Sequence, residues 1–241
     1  MKLAVAAAAL ALLVVSSASP APQARLTVFA AASLTDVLPK IDRSPRYSFA
    51  GSNQLAAQIQ QGAPADVFAA ANMTLPRQLA SKHLCSKPVV FARNKLVVIV
   101  PPTNPARLRR VADLARNGVK VLVAQPGVPV GTYTAQVLRA LHLYERVMAN
   151  VVSKETDVRG VVAKIVLGEA DAGFVYATDA KAVRDDLKVI AIPASAEPGI
   201  NYGICVVAAG GHAGDARVFV KKVLSRAGQR KLRSYGFVPR R

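Results

Sequence analysis

The chain has 241 residues, of which 52% are hydrophobic, with two cysteines and no tryptophan. That length and apolar content exclude a disordered tail and a disulfide-dense miniprotein, and allow one large domain or two smaller lobes with ample core. Against 14 Asp and Glu stand 32 Lys and Arg, a formal charge of +18 that first suggests nucleic acid. The cations are scattered or in short groups, "RLRR" at 107–110 and "KKVLSRAGQRKLRS" at 221–234, with little aromatic interleaving. Most are expected to form a solvated surface with no specific role; basic charge can still steer a small anion toward a cleft, and no nucleic-acid partner is expected.

The N-terminal stretch "MKLAVAAAALALLVVSSASPAPQA" carries one Lys, an apolar run from Leu3 to Val15, then small residues. This pattern predicts a cleaved signal peptide over 1–18, with cleavage as late as 24 as the alternative; the run is too short to span a bilayer. No later apolar run approaches the roughly 20 residues of a spanning helix, so the mature chain is expected to be periplasmic and soluble. Cys85 and Cys205 lie far from the cleavage region, so no lipoprotein cysteine is expected. An oxidising compartment permits a disulfide between them; sequence does not supply the geometry, and buried free thiols are the alternative.

Beyond the signal, strand-like runs at 26–31, 46–50, 66–70, 96–100, 120–124, 149–152, 171–176, 188–192 and 202–208 alternate with helical spacing. The helical segments are 33–41, 53–61, 74–82, 109–116, 131–142, 157–167, 178–185, 214–225 and 227–234. This rhythm predicts an α/β chain with mainly parallel sheet. Two segments read as crossings between lobes: "FARNKLVVIVPP", followed by the basic "TNPARLRR", and "PGINYGICVVAAGG". The expected division is 25–96 with 206–241 for lobe one and 97–205 for lobe two.

In open α/β sheets ligands collect where strands hand over to helix N-termini. Five junctions qualify: "FAAASLTDVL" with Ser33 and Asp36, "SFAGSNQLAAQI" with Gly51 and Ser52, "AQPGVPVGTYTAQVL", "KETDVRGVVAKI" and "AGFVYATDA". Each has a purely structural reading. Ser33 with Asp36 resembles a capping box, and Ser52 a cap. Pro126, Gly127 and Pro129 make a turn, Thr156-Asp157 opens a helix, and Tyr176 is a half-buried tyrosine at a strand end. Their combination reads differently, because no cation lies within several residues of Ser33 or Ser52. A helix N-terminus carries roughly half a positive charge and free N–H groups, so it binds anions without Lys or Arg. A pocket of donors alone suits a fully deprotonated oxyanion and penalises ligands that must themselves donate. Spacing does not choose the anion.

At these residues the chain resembles the periplasmic molybdate-binding proteins, the ModA family, receptors of molybdate ABC importers. The likeness runs through "LTVFAAASLTDVL", "SFAGSNQLAAQIQQGAPADVFAAAN", "NKLVVIVP", "VLVAQPGVPVGTYTAQVL", "TDVRGVVAKIVLGEADAGFVYATDA" and "RSYGFVP", nearly all of the mature chain. It implies a type II periplasmic binding protein fold, two α/β lobes joined by two crossover strands. It also implies a monomeric receptor, not an enzyme and without a cofactor, that binds molybdate or the similarly sized tungstate between its lobes and docks on a membrane permease. Carried over by motif, Ser33 and Ser52 would each give a hydroxyl and N–H, Val130 and Val158 a backbone N–H, and Tyr176 its phenol hydroxyl. Molybdenum would be held only as the oxyanion, through these same residues. Val130 stands where the family often has alanine, and Arg159, beside the site in sequence, is expected to face outward or bridge structure.

Three rivals remain at this level. A receptor of the same fold for sulfate or phosphate is one; a carboxylate at the site, Asp36 or Asp157 being nearest, would favour phosphate by accepting its proton. A secreted hydrolase is another, but His83, His142 and His212 sit in no motif that joins them to a nucleophile or metal. The third is the effector domain of a transcription regulator, against which the export signal and the lack of a helix-turn-helix segment count.

Overall fold

Alternating apolar runs and turn residues resolve into two five-stranded sheets in the computed structural model, which describes residues 25–240. The expected signal peptide lies outside the described residues. The first lobe begins with β1 (Thr27–Ala31), a 3-10 turn (Ala32–Leu34), α1 (Leu38–Ile41), β2 (Arg46–Ala50), α2 (Ser52–Gln60), β3 (Val67–Ala70), α3 (Thr74–Ser81) and β4 (Val89–Asn94). The chain then crosses into β5 (Leu96–Val100), a 3-10 turn (Val111–Ala115), β6 (Val121–Ala124), α4 (Pro129–Ala140), α5 (Tyr144–Met148) and β7 (Val151–Glu155). The second lobe continues with α6 (Val158–Val166), β8 (Ala172–Tyr176), α7 (Ala177–Ala182) and β9 (Lys188–Ala191). It returns through β10 (Ile200–Val206) to α8 (Ala213–Leu224) and α9 (Arg226–Ser234).

Strand order is β2-β1-β3-β10-β4 in the first sheet and β7-β6-β8-β5-β9 in the second. The central strands β3, β5, β6 and β8 are buried along their whole length, which is why they read as unbroken apolar runs. The edge strands β7 and β9 bury only part of theirs.

Several expectations change here. Sheet pairing is mixed rather than mainly parallel: β1 runs parallel to β2 and β3, and β6 to β7 and β8, but β10 and β5 are antiparallel to both neighbours. These two strands each enter their sheet from the other lobe, so they run against what was laid down there. The first crossing is a single residue, Lys95, with Leu96 already in β5; the return occupies residues between β9 and β10. Hence β10 belongs to the first sheet, whereas the expected division placed residues up to 205 in lobe two. β4 and α5 had no counterpart among the expected elements. β4 escapes because it runs into β5 with only Lys95 between, and "FARNKLVVIVPP" reads as one crossing segment. The helix expected over 33–41 is a 3-10 turn and a four-residue α1, and that over 109–116 is 3-10 only.

Polar groups concentrate at the crossing. Asn94 is buried, its Nδ2 donating to Thr178 Oγ1 at 2.9 Å and to the Tyr202 hydroxyl at 3.2 Å. The Tyr202 ring meets Phe91, Tyr176 and Phe237 edge-on, with centroids 6.1, 5.6 and 5.4 Å away. Phe237 belongs to the closing "RSYGFVP", whose Val238 exchanges two backbone hydrogen bonds with Arg93 of β4. Lys95 and Glu197 pair at 3.6 Å and tie the two crossing segments to each other. Cys85 and Cys205 are buried free thiols in a smaller apolar cluster of the first lobe, with Phe68 and Leu79.

Tyr202→Phe keeps these ring contacts and removes one hydroxyl from two buried polar partners. It is expected to lower unfolding free energy by about 1–3 kcal/mol, read by urea denaturation.

Candidate functional site

The first N–H groups of a helix have no partner within it. α2 starts at Ser52 directly after β2 and Gly51; α4 starts at Pro129, with Val130 the first residue that carries an N–H; α6 starts at Val158. Pro129 is preset for a helix start and costs no hydrogen bond there. Gly131 lets α4 begin tight against β6, since a Cβ on it would lie 2.5 Å from the Ala124 carbonyl oxygen. Asp157 caps α6 by accepting from the Gly160 N–H at 3.1 Å, as the Thr156-Asp157 helix start predicts.

The two serines are not caps. Ala31 and Gly51 hold the N-cap positions, leaving Ser33 inside the 3-10 turn and Ser52 at the first residue of α2. Ser52 Oγ accepts from the Ala71 N–H at 3.1 Å, which orients the side chain and leaves its own hydrogen to donate. Ser33 Oγ lies 2.9 Å from the Tyr202 hydroxyl. Asn94 Nδ2, which can only donate, gives a hydrogen bond to the same Tyr202 oxygen. Tyr202 therefore accepts from Asn94, and it shares with Ser33 a hydrogen bond in which either hydroxyl can donate.

Ser33 and Ser52 from lobe one and Val130, Val158 and Tyr176 from lobe two line a single cavity. The cavity is small, so it suits a compact ligand. No Lys or Arg lines it, and its one acidic lining residue, Asp157, is engaged as the α6 cap. Among the described residues, two buried side-chain atoms lack a hydrogen-bond partner, Tyr176 Oη and Asn53 Oδ1. Tyr176 Oη belongs to a residue that lines the cavity, and Asn53 follows Ser52. Burial, then the neighbouring tyrosines and Asp179, pushes the Tyr176 ionisation well above the ordinary phenol range. Tyr176 thus keeps its proton and offers a donor with no acceptor in the protein.

Carboxylates stand just outside this cavity. Asp36 turns away from it and pairs with Arg159 at 2.7 Å, from Arg159 Nη2 to Asp36 Oδ2. Arg159 does not line the cavity either; it bridges the lobes. Asp179 is buried and accepts from the Tyr176 N–H at 3.3 Å. Burial raises its carboxyl to about 7; Arg159 and that N–H pull downward, and Asp36 and Asp157 add to the rise. Of the two carboxylates that would favour phosphate, Asp36 is therefore paired elsewhere, and Asp157 lines the cavity while capping α6 through Oδ1. His83 and His142 are exposed, and His212 lies against Asp66 with Nδ1 at 3.3 Å; none borders the cavity. Tyr202, Asn94 and Asp179 had no local signal in the sequence, since each works through a partner far away in the chain or through burial.

Gly51 has a particular duty. A Cβ on it would lie 2.5 Å from the Thr156 carbonyl oxygen in the opposite lobe. Gly51→Ala is expected to hold the lobes apart, lengthening a spin-label distance between them, while the unfolding midpoint of the protein moves little. Asp179 yields a pH prediction. With its carboxyl raised from 3.8 to about 7, the folded chain keeps a proton that the unfolded chain has released. This contribution to stability therefore falls as pH rises from about 4 to about 7 and is flat above. Asp179→Asn retains an acceptor for the Tyr176 N–H without the charge. Thermal unfolding should show the variant gaining over the parent at pH 8 and gaining little at pH 4.

Comparisons with known proteins bear on this arrangement. The family model for bacterial extracellular solute-binding protein matches residues 26–238. The molybdate-binding protein ModA of Mycobacterium tuberculosis H37Rv is 37% identical over 233 residues, covering 92% of this chain and 88% of that one. The periplasmic molybdate-binding protein of Azotobacter vinelandii superposes with a TM-score of 0.78 at 21% identity, over 90% of this chain and 100% of that one. The sulfate-binding protein SubI of Mycobacterium tuberculosis reaches 0.76 at 19% identity, over 89% of this chain and 86% of that one. Fold alone is therefore shared by receptors of different oxyanions, and it is sequence identity that narrows the relationship: the chain belongs to the bacterial extracellular solute-binding proteins and, within them, to the ModA family of molybdate-binding proteins.

Proposed function

We propose that the chain is the receptor of a molybdate importer, binding the oxyanion between its lobes and presenting it to an ABC permease. One observation carries this reading: five residues from two lobes converge on one compact cavity that offers N–H and hydroxyl donors, a buried phenol without a partner, and no cation. Ser33 and Ser52 donate hydroxyl and N–H, Val130 and Val158 donate backbone N–H from the starts of α4 and α6, and Tyr176 donates its hydroxyl. Three N-termini, of α2, α4 and α6, add their dipoles. A dianion that accepts at every oxygen satisfies all of these donors at once.

The relatives are binding proteins, and no enzymatic step is assigned to these residues. Tungstate, close to molybdate in size, is the expected second ligand, and selection against sulfate would come from cavity size. The protein works as an exported monomer, delivered by its signal peptide, and its cationic surface draws the dianion toward the cleft rather than holding nucleic acid.

Calorimetric titration with molybdate, tungstate, sulfate and phosphate tests the reading. Molybdate and tungstate should bind tightly and the other two weakly; sulfate binding as tightly as molybdate overturns it. In the same assay Ser33→Ala, Ser52→Ala and Tyr176→Phe should each cost about 1.5–3 kcal/mol of molybdate binding, the worth of a hydrogen bond to a charged group. Unchanged affinity in any one of them removes that residue from the site.

A further inference from the structure

We propose that Arg159 and Asp36 form a latch between the lobes that slows release of the bound oxyanion. The inference rests on the receptor reading above but concerns residues outside the cavity. Arg159 Nη2 lies 2.7 Å from Asp36 Oδ2, and the two come from opposite lobes. Asp36 follows Ser33 by three residues and Arg159 is next to Val158, so the elements that carry the donors also carry the latch. Swinging the lobes shut assembles both together. Among the described residues this is the one ion pair joining the lobes away from the crossing segments. Lys95–Glu197 ties those segments, and the remaining pairs lie within a lobe.

Neither residue lines the cavity, so neither acts as a ligand contact. Both side chains are partly open to water, 36% for Arg159 and 45% for Asp36. Such a pair is weak enough to break in every transport cycle. Because the bond forms only as the lobes close, it stabilises the closed, ligand-holding state over the open one, and only that difference affects affinity. Its effect therefore falls on the dissociation rate, with association left to diffusion and steering.

A latch and a simple field effect predict opposite signs at Asp36. Removing a negative charge near a bound dianion would by itself hold the dianion more firmly, and removing the Arg159 charge would loosen it. A latch predicts that both removals loosen it. Stopped-flow tyrosine fluorescence, usable because the chain has no tryptophan, would follow molybdate release from the parent, Asp36→Asn, Arg159→Gln and the exchanged pair Asp36→Arg with Arg159→Asp. Each single variant should release molybdate about two- to fivefold faster at an unchanged association rate, and the exchanged pair should return toward the parent rate. Asp36→Asn releasing no faster than the parent overturns the latch, as does an exchanged pair as fast as the singles. If the parent takes up no molybdate, the receptor reading fails separately. The latch is then decided by spin-label distances between the lobes of the ligand-free protein. A shift of the single variants to longer distances supports it, and distances equal to the parent's overturn it.

Discussion

Holding a doubly charged ion in a compact cavity without Lys or Arg leaves only partial charges and hydroxyl hydrogens for the work. Each helix N-terminus supplies about half a charge, effective over roughly one turn, so several must meet at one point. One sheet brings only neighbouring helix starts together, as the second does with α4 and α6. Two sheets facing each other solve the problem: α2 starts from one lobe, α4 and α6 from the other, and the Tyr176 hydroxyl is added at the end of β8. Gly51 completes the approach, because any side chain there would strike the opposite lobe at Thr156.

That arrangement makes the crossing between lobes as consequential as the site. Asn94 and Tyr202 sit on the strands that pass between the halves, and both are buried polar groups. Asn94 donates to Tyr202, whose hydroxyl shares a hydrogen bond with Ser33 at the edge of the cavity. A residue that lines the cavity is thereby held by the crossing strands themselves. The mixed pairing of both sheets has the same origin, since β5 and β10 are the crossing strands and each runs against its neighbours.

Charge is arranged on two scales. The chain as a whole is strongly cationic, which favours encounter with anions over long range. Close to the cavity the balance reverses: Asp36, Asp157 and Asp179 all act on the same small region, with Arg159 as the cation among them. The negative groups are withdrawn from the ligand by pairing, by capping and by burial that favours the protonated acid.

Much of this was legible in the sequence because it depends on local pattern. Apolar runs marked the central strands, since these are buried on both faces, and strand-to-helix junctions marked Ser33, Ser52, Val130, Val158 and Tyr176 through motif and resemblance. Local pattern misled where two elements abut without a turn, as β4 and β5 do, and where a serine near a helix start looks like a cap but points elsewhere. Sequence by itself determined the alternation of strands and helices and the chemistry on offer at five junctions, because spacing and residue type act over a few neighbours. Only the tertiary structure decided that the five junctions face one cavity, that Tyr202 orients Ser33, and that Arg159 reaches Asp36 across 123 residues of sequence. Those contacts exist only once the two sheets are folded and brought face to face.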